Sequence, residues 1–548
     1  HPMRHAKRWL YLVHRWLGVL LCSVFALWFI SGIVMMYVGY PKLTPAERLE
    51  HLPPLRGVPI ALQPAQALQA AGLQGPLQEL RLALASGGRP VYVATPATEL
   101  EPGSKAARRS KTAPVVIDAT TGELIRNVSA AHALASAQTF ASSRDSASAA
   151  GTTPRHLGMV SEDAFTHSRA LDMHRPLHTV ALGDAEDTVV YVSSATGEVV
   201  RDATRTERLW NYAGAWIHWL YPFRGNVFDR YWTDIVNWLS IAGIVLALTG
   251  TVVGVLRWRF TGARYKSGSR SPYPSGMMKW HHTTGLLFAA VTITWVFSGL
   301  MSMNPWKLFD SGAPPLRTAA MHGGPLQLAN GAPLASVQAL LAQATPNVRE
   351  LRWVRTAGHT VVQAWNPSGV ATLLDATTAA HHAIAPRELT AAAARLVDAP
   401  VQEVQTLNAY DLHYYDRAPH TMGGGADKPL PVWRVVFADP HATWVHIDPR
   451  TGTVLGRTDT HRRTSRWLFS MLHSWDWLPL LERRPLWDVV LIVLSLGGTA
   501  LSVTGVVVGW RRLRVKARSG AKAAHPRTAR AAAASAPTGR ASPQAGNV

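Results

Sequence analysis

At 548 residues the chain is long enough for several cores, and its single cysteine, Cys22, excludes an internal disulfide, a CxxCH haem attachment and a cysteine-ligated iron–sulfur cluster. A formal charge of +21 would admit a nucleic-acid partner, but nineteen Lys or Arg cluster in residues 1–15, 257–279 and 511–548, which hold no Asp or Glu and flank apolar runs. That placement makes a lipid bilayer the partner and nucleic acid unnecessary.

No charge falls between Arg15 and Lys42, Asp234 and Arg257, Lys279 and Lys307, or Asp488 and Arg511. Each gap holds about 20 or more mostly apolar residues, enough for a helix to cross roughly 30 Å of hydrocarbon. Four transmembrane helices are expected. The first is too long for a cleavable signal and lacks a small-x-small site soon after it. The positive-inside rule puts both termini on the cytoplasmic side and both long connections outside.

In chain order this gives a basic stretch and first span (1–40), an outside domain (41–207), an interfacial helix and second span (208–258) and a basic cytoplasmic loop (259–279). A third span (280–306), a second outside domain (307–465), an interfacial helix and fourth span (466–513) and a disordered cytoplasmic tail (514–548) follow. Each outside region is large enough for its own core, and residues 97–112 read as a flexible insertion. Both carry one local pattern, an apolar strand, a turn rich in Asp, Thr and Gly, and a short β-branched strand: "VVIDATTGELI" (115–125), "VVYVSSATGEVV" (189–200) and "TWVHIDPRTGTVLG" (443–456). "ATLLDATTAAHHAI" (371–384) is a weaker copy without the glycine. These read as β-hairpins, and the Ala-rich stretches before them as helices of α+β domains.

A larger repeat underlies the whole. A shift of 267 lays the first span on the third, with His14 on His281, Gly18 on Gly285, Ser31 on Ser298 and Gly32 on Gly299. A shift of 255 lays the second on the fourth, with His218 on His473, Trp232 on Trp487, Gly250 on Gly505 and Gly254 on Gly509. The expected fold is a four-helix transmembrane bundle with two α+β domains, internally duplicated about an axis along the membrane normal.

Of 23 histidines, four occupy matched positions. His14 and His281 lie at the cytoplasmic mouths of spans one and three, His218 and His473 on short amphipathic helices at the outer interface. A two-fold axis turns each match into a facing pair, and two imidazoles approaching from opposite sides are the axial ligands of a six-coordinate haem iron. Matched glycines would give the macrocycle room, and they also allow close helix packing. His282 rivals His281 as ligand; His281 is preferred because its spacing to Gly285 repeats that of His14 to Gly18. Arg15 and its counterpart His282 are placed to neutralise haem propionates at the inner site, as are Arg224, Arg483 or Arg484 at the outer. "MHRPLH" (173–178), His381 with His382 and "YDLHYYDR" (410–417) offer no matching ligand set and read as solvated loops. No dinucleotide fingerprint, P-loop or HExxH is present.

"HRWLG" opening span one, "WHHTTGLLFA" in span three, the Asp-x-x-Thr-Gly hairpins and "RPLWDVVLIVLSLGGTALSVTGVVVGWRR" in span four resemble the PepSY-associated transmembrane proteins of the bacterial inner membrane. The likeness covers nearly the whole chain apart from 97–112 and the tail. It implies PepSY-like domains on the periplasmic side, haem b at two sites held by His14 with His281 and His218 with His473, and reduction of a ferric siderophore by a cytoplasmic or quinol electron donor. His446 stands at a hairpin position where the family leads one to expect tyrosine. Two rival readings are a haem-free scaffold that binds or regulates an envelope protein, and a haem relay to a protein or copper acceptor.

Overall fold

The computed structural model describes residues 2–98, 100–101, 106, 114–143, 153–328, 331 and 333–533, with side chains described from 3 to 519 within those ranges. Most of the expected insertion at 97–112 therefore lies outside the described residues, as do 534–548. The chain divides into two compact units. One comprises residues up to 30, 239–297 and those from 492, the other residues 31–238 and 298–491.

The first unit holds the apolar helices. These are α1 (Pro2–Met35) and, after a short helix α2 (Ala130–Ser142) of the second unit, α3 (Trp232–Arg257), α4 (Gly276–Leu287), α5 (Ala289–Ser302) and α6 (Leu486–Ala533), of which α1, α3, α5 and α6 each have one end in the second unit. Among the described residues, three stretches are each long and apolar enough to cross a membrane: Met3–Met35, Asp229–Arg257 and Leu486–Ser519. The expected third span is not one straight helix. It breaks at Phe288 between α4 and α5, which are bent by 67°. No Pro or Gly marks the break. A Cβ on Gly497 would lie 2.2 Å from the Phe288 ring, so the ring fills the space that glycine leaves on α6, while Thr292 returns both its amide (3.0 Å) and its hydroxyl (2.8 Å) to the Phe288 carbonyl. Leu21, Phe25, Phe29, Leu246 and Val296 form this unit's core. The tail expected to be disordered from 514 is helical through Ala533, in keeping with its content of Ala, Arg and Lys, strong helix formers.

In the second unit, β1 (Leu77–Ser86), β2 (Arg89–Pro96), β3 (Val115–Asp118), β4 (Leu124–Ile125), β5 (Arg155–Val160), β6 (Leu177–Ala181), β7 (Val189–Ser193) and β8 (Val199–Ala203) come from the first connection. The second supplies β9 (Glu350–Thr356), β10 (His359–Trp365), β11 (Ala371–Asp375), β12 (Val401–Leu407), β13 (Val432–Phe437), β14 (Trp444–Ile447) and β15 (Val454–Thr458). Strands β5–β8 and β12–β15 form two antiparallel four-stranded sheets in chain order. The remaining strands form one seven-stranded sheet, ordered β11-β10-β9-β1-β2-β3-β4.

The expectation of two separate outside domains is thus corrected: the two connections share one sheet, although each also keeps a core of its own, around Phe140 and Val190 in the first and around Leu389 and Val445 in the second. β1 pairs with β9, Leu80 opposite Trp353 and Leu82 opposite Leu351. The largest core takes Leu80, Tyr92 and Ile117 from one connection and Leu351, Trp353 and Val362 from the other. Alternation along each strand shows which face is apolar, but not which strand will lie beside it.

The hairpin turns form as expected, from one device. Asp118 accepts the amides of Thr120 (2.8 Å) and Thr121 (3.2 Å), and Gly122 adopts φ +77. Ser193 and Asp448 repeat the pattern before Gly197 and Gly452. In the copy without glycine, Asp375 accepts Thr377 and Thr378 and Ala379 takes φ +63, so the side chain–backbone bonds hold the turn despite the cost of a left-handed alanine.

Arg81 and Arg352 lie opposite each other on β1 and β9, a repulsive placement unless acids intervene. Fully buried Glu350 provides one: it pairs with Arg48 (2.8 Å), Arg352 (2.7 Å) and Arg81 (3.4 Å), and Arg81 also reaches Glu198 (3.2 Å). These guanidinium groups, led by Arg48, hold the Glu350 carboxyl below the usual range against the pull of burial. Replacement by alanine would leave Arg48 without an acid and Arg81 and Arg352 with only Glu79 and Glu198 between them; Glu350→Ala is expected to cost about 3–5 kcal/mol, read from denaturant unfolding.

His446 on β14 is buried, accepts Nε–H of Arg434 at 2.9 Å, and stacks on Tyr414 at 4.9 Å, while Arg434 makes a two-pronged pair with Asp411 (2.6 and 2.9 Å). Burial first, then Arg434, lowers its pKa to about 3. The unfolded chain binds a proton near pH 6.5 that the folded chain refuses. This contribution is therefore complete above about pH 6.5 and falls as the pH drops toward 3, by up to about 1.4 kcal/mol per pH unit. His446→Gln should flatten that slope in urea unfolding measured between pH 4 and 7.

Candidate histidine sites

His14 lies on α1 and His281 on α4, and their ring centroids are 6.4 Å apart with planes at 30°. Each Nδ1 is turned to a backbone carbonyl, His14 to Leu246 (3.3 Å) and His281 to Leu501 (3.2 Å), with Thr504 Oγ1 also 3.3 Å from His281. Those carbonyls accept Nδ1–H, so the lone pair falls on Nε2. Neighbouring glycines make the approach possible. A Cβ on Gly250 would stand 2.5 Å from the His14 ring, and one on Gly505 would stand 2.6 Å from Cys22 Sγ and 3.2 Å from the His281 ring.

The second unit contains the other pair. His218 and His473 have centroids 5.9 Å apart and planes at 66°. Ser31 Oγ is 3.0 Å from Nδ1 of His218, and Ser298 Oγ is 3.0 Å from Nδ1 of His473. Gly32 and Gly299 lie against the two rings, where a Cβ would sit 3.5 and 3.6 Å away. Each histidine follows a short helix with a π-helical turn, Tyr212–Trp216 or Arg466–Met471, and precedes a left-handed residue, Leu220 or Trp475. The indole N–H of Trp232 caps the Trp219 carbonyl (2.8 Å) and that of Trp487 caps the Ser474 carbonyl (3.1 Å). The wide turn and the indole cap hold each imidazole toward its partner.

Two imidazoles bound to one metal through Nε2 place their centroids about 6.4 Å apart, since each metal–nitrogen bond is about 2.0–2.1 Å and each nitrogen lies about 1.2 Å from its ring centre. The separations of 6.4 Å for His14 with His281 and 5.9 Å for His218 with His473 lie near that span. In donor type, ring spacing and Nδ1 partners the residues present are compatible with haem, which His14 with His281 and His218 with His473 would hold.

His282 does not belong to the set. It is buried, with Nδ1 2.7 Å from Ser271 Oγ and Nε2 2.9 Å from the Gly254 carbonyl, so both nitrogens tie a loop to α3. That removes it as a rival ligand and as a propionate partner. Arg15 is exposed. Arg484 is neutralised by Asp488, Arg224 lies over Trp232 at 4.4 Å and near Asp229 at 3.4 Å, and Arg483 donates to the Pro479 carbonyl. The glycines also divide by role: Gly32, Gly250, Gly299 and Gly505 accommodate imidazoles, whereas Gly18, Gly254, Gly285 and Gly509 face Leu246, Leu286, Leu501 and Val19 across helix contacts.

"YDLHYYDR", read as a solvated loop, is instead the anchor of the His473 turn. Tyr415 donates to Asp476 (2.6 Å), Arg417 pairs with the same carboxylate, and Arg466 donates to the carbonyls of Leu412 and Asp476. Burial raises the Asp476 carboxyl although Arg417 opposes the shift. Only the pairing of a lone Asp in "SWDWL" with a distant Tyr/Arg cluster signals this, and one sequence does not record such pairings.

A family model, PepSY-associated TM region, matches residues 11–385. The chain belongs to that family. The match includes His14, His218 and His281 and ends before His473 and α6. A search of curated proteins found no match.

Because their Cβ atoms would strike the His14 ring and Cys22 Sγ respectively, Gly250→Ala and Gly505→Ala are expected to lose about 1–3 kcal/mol in thermal unfolding. Gly285→Ala, whose Cβ meets only Leu501 at an ordinary 3.5 Å, should be neutral or gain up to about 1 kcal/mol from helix propensity.

Proposed function

We propose that this PepSY-associated protein is an inner-membrane di-haem b-type cytochrome that passes electrons across the membrane to a periplasmic ferric siderophore and releases Fe(II). The observation that carries the reading is the recurrence of one arrangement: facing imidazoles about 6 Å apart, each with Nδ1 held by a backbone or hydroxyl oxygen. His14 and His281 would hold one haem, His218 and His473 the other, and the haems supply one-electron chemistry.

The protein's part is to set ligand basicity and position. A carbonyl accepting Nδ1–H of His14 or His281 makes Nε2 a stronger donor, and a serine hydroxyl accepting Nδ1–H would do the same at His218 and His473. The apolar side chains around the inner pair lower the local dielectric and so tune the potential. One electron reduces Fe(III) to Fe(II), whose lower charge weakens its bonds to hard oxygen donors. A cytoplasmic or quinol donor supplies that electron, and no acid–base residue need act.

The same reading takes the chain as internally duplicated with its sheets in the periplasm. It is supported by the offsets of 267 and 255, which relate contacts as well as letters: His14 with Leu246 to His281 with Leu501, Ser31 with His218 to Ser298 with His473, and Trp232 with Trp219 to Trp487 with Ser474.

Purified protein should show a Soret band and a reduced α-band of b-type haem. His14→Ala, His281→Ala, His218→Ala and His473→Ala should each lose about half the bound haem by pyridine haemochrome assay, whereas His282→Ala should retain it. Dithionite-reduced protein mixed anaerobically with ferric siderophores should be reoxidised. Absence of haem would favour a scaffold, and failure of every chelate a protein or copper acceptor.

A further inference from the structure

Residues 258–275, between α3 and α4, fold into an ordered loop within the first unit. Its arginines are the struts. Arg259 donates to the carbonyls of Ala263 and Arg264 (both 2.9 Å), Arg264 to Gly268 (3.2 Å), and Arg270 to Arg259 (2.8 Å) and Phe260. Backbone bonds from Arg259 to Arg270 and from Tyr265 to Ser269, each 3.0 Å, close the loop. At its base Ser271 holds His282, and Arg257 lies over Tyr11 at 4.7 Å.

The charge in this loop is uncompensated. Residues 257–279 contain no Asp or Glu, and among the described residues none of Arg259, Arg264, Lys266 and Arg270 is ion-paired with a carboxylate. In the sheets, by contrast, clustered arginines are paired with acids, as Arg48, Arg81 and Arg352 are with Glu350. The loop also borders an open surface cleft of about 630 Å³, lined by Arg259, Arg264, Tyr265, Lys266 and Ser267 with proline walls. That volume lies within the roughly 300–1,000 Å³ of small-molecule sites.

From the cleft and its held, unopposed cations, we propose that this loop is a binding site for a phosphate-bearing ligand. An arginine that uses one N–H on a carbonyl keeps others in fixed directions, and its planar fork matches phosphate oxygens. Lys266 adds a point charge and Ser267 a hydroxyl. A basic pocket beside a span suits an anionic lipid headgroup, and a soluble phosphate compound presents the same group. The proposal does not depend on haem, so it stands or falls separately from the function above.

The test titrates the full-length protein in dodecyl maltoside with sodium pyrophosphate and, separately, with mixed micelles of phosphatidylglycerol or phosphatidylcholine, reading the thermal midpoint. A saturable rise is expected with pyrophosphate or phosphatidylglycerol but not phosphatidylcholine. The first outcome identifies a soluble phosphate source and the second a lipid headgroup. Arg264→Ala/Lys266→Ala should weaken the response about tenfold or more, whereas Arg511→Ala/Arg512→Ala, removing equal charge elsewhere, should not. Should the first variant fail to fold, Ser267→Glu, which puts an acid in the cleft and spares the arginine struts, must abolish the response. No rise with either probe, equal weakening in the Arg511/Arg512 variant, or full binding by Ser267→Glu overturns the proposal.

Discussion

An imidazole placed among apolar helices must have its nitrogens answered, because a buried polar group left without a partner costs about 1–3 kcal/mol. The histidine pairs meet that demand at Nδ1 from within the protein: carbonyls of α3 and α6 for His14 and His281, hydroxyls of Ser31 and Ser298 for His218 and His473. Much of the local architecture follows. Gly250 and Gly505 must lack side chains for the rings to reach those carbonyls, and a π-turn with an indole-capped carbonyl must precede or flank each histidine of the second pair. His282 shows the contrast, for an imidazole with both nitrogens engaged is a clamp rather than a donor.

The second unit meets a comparable demand in its sheet. Joining strands from two distant stretches of chain sets Arg81 opposite Arg352, and Glu350 makes that register tolerable. Burying an acid among three guanidinium groups contributes little net stability compared with an apolar core, yet it penalises alternatives in which the charges fall out of step. The anchor of Tyr415 and Arg417 on Asp476 works likewise, fixing the turn that carries His473 through one buried carboxylate.

Several features were legible in the residues themselves. Charge-free runs identified the apolar helices, and the Asp-x-x-Thr-Gly turns identified their hairpins, because both depend on local composition and short-range hydrogen bonds. The histidine pairing was legible for a different reason: the offsets of 267 and 255 place His14 with His281 and His218 with His473, and a repeat carries tertiary information that a single copy does not. Spacing favoured His281 over His282, and the contacts point the same way, since the His281 ring meets Leu501 whereas His282 meets Ser271 and Gly254.

By itself the sequence determined the membrane class, the turn chemistry and the matched histidines, since each is written in neighbouring residues or in the repeat. Tertiary structure alone decided that β1 would pair with β9 across some 270 residues, that α4 and α5 would bend at Phe288 where the ring meets Gly497, and that the basic loop would border an open cleft. Those outcomes depend on side chains remote in sequence meeting in space, and apolar alternation or charge count specifies a face without naming what will cover it.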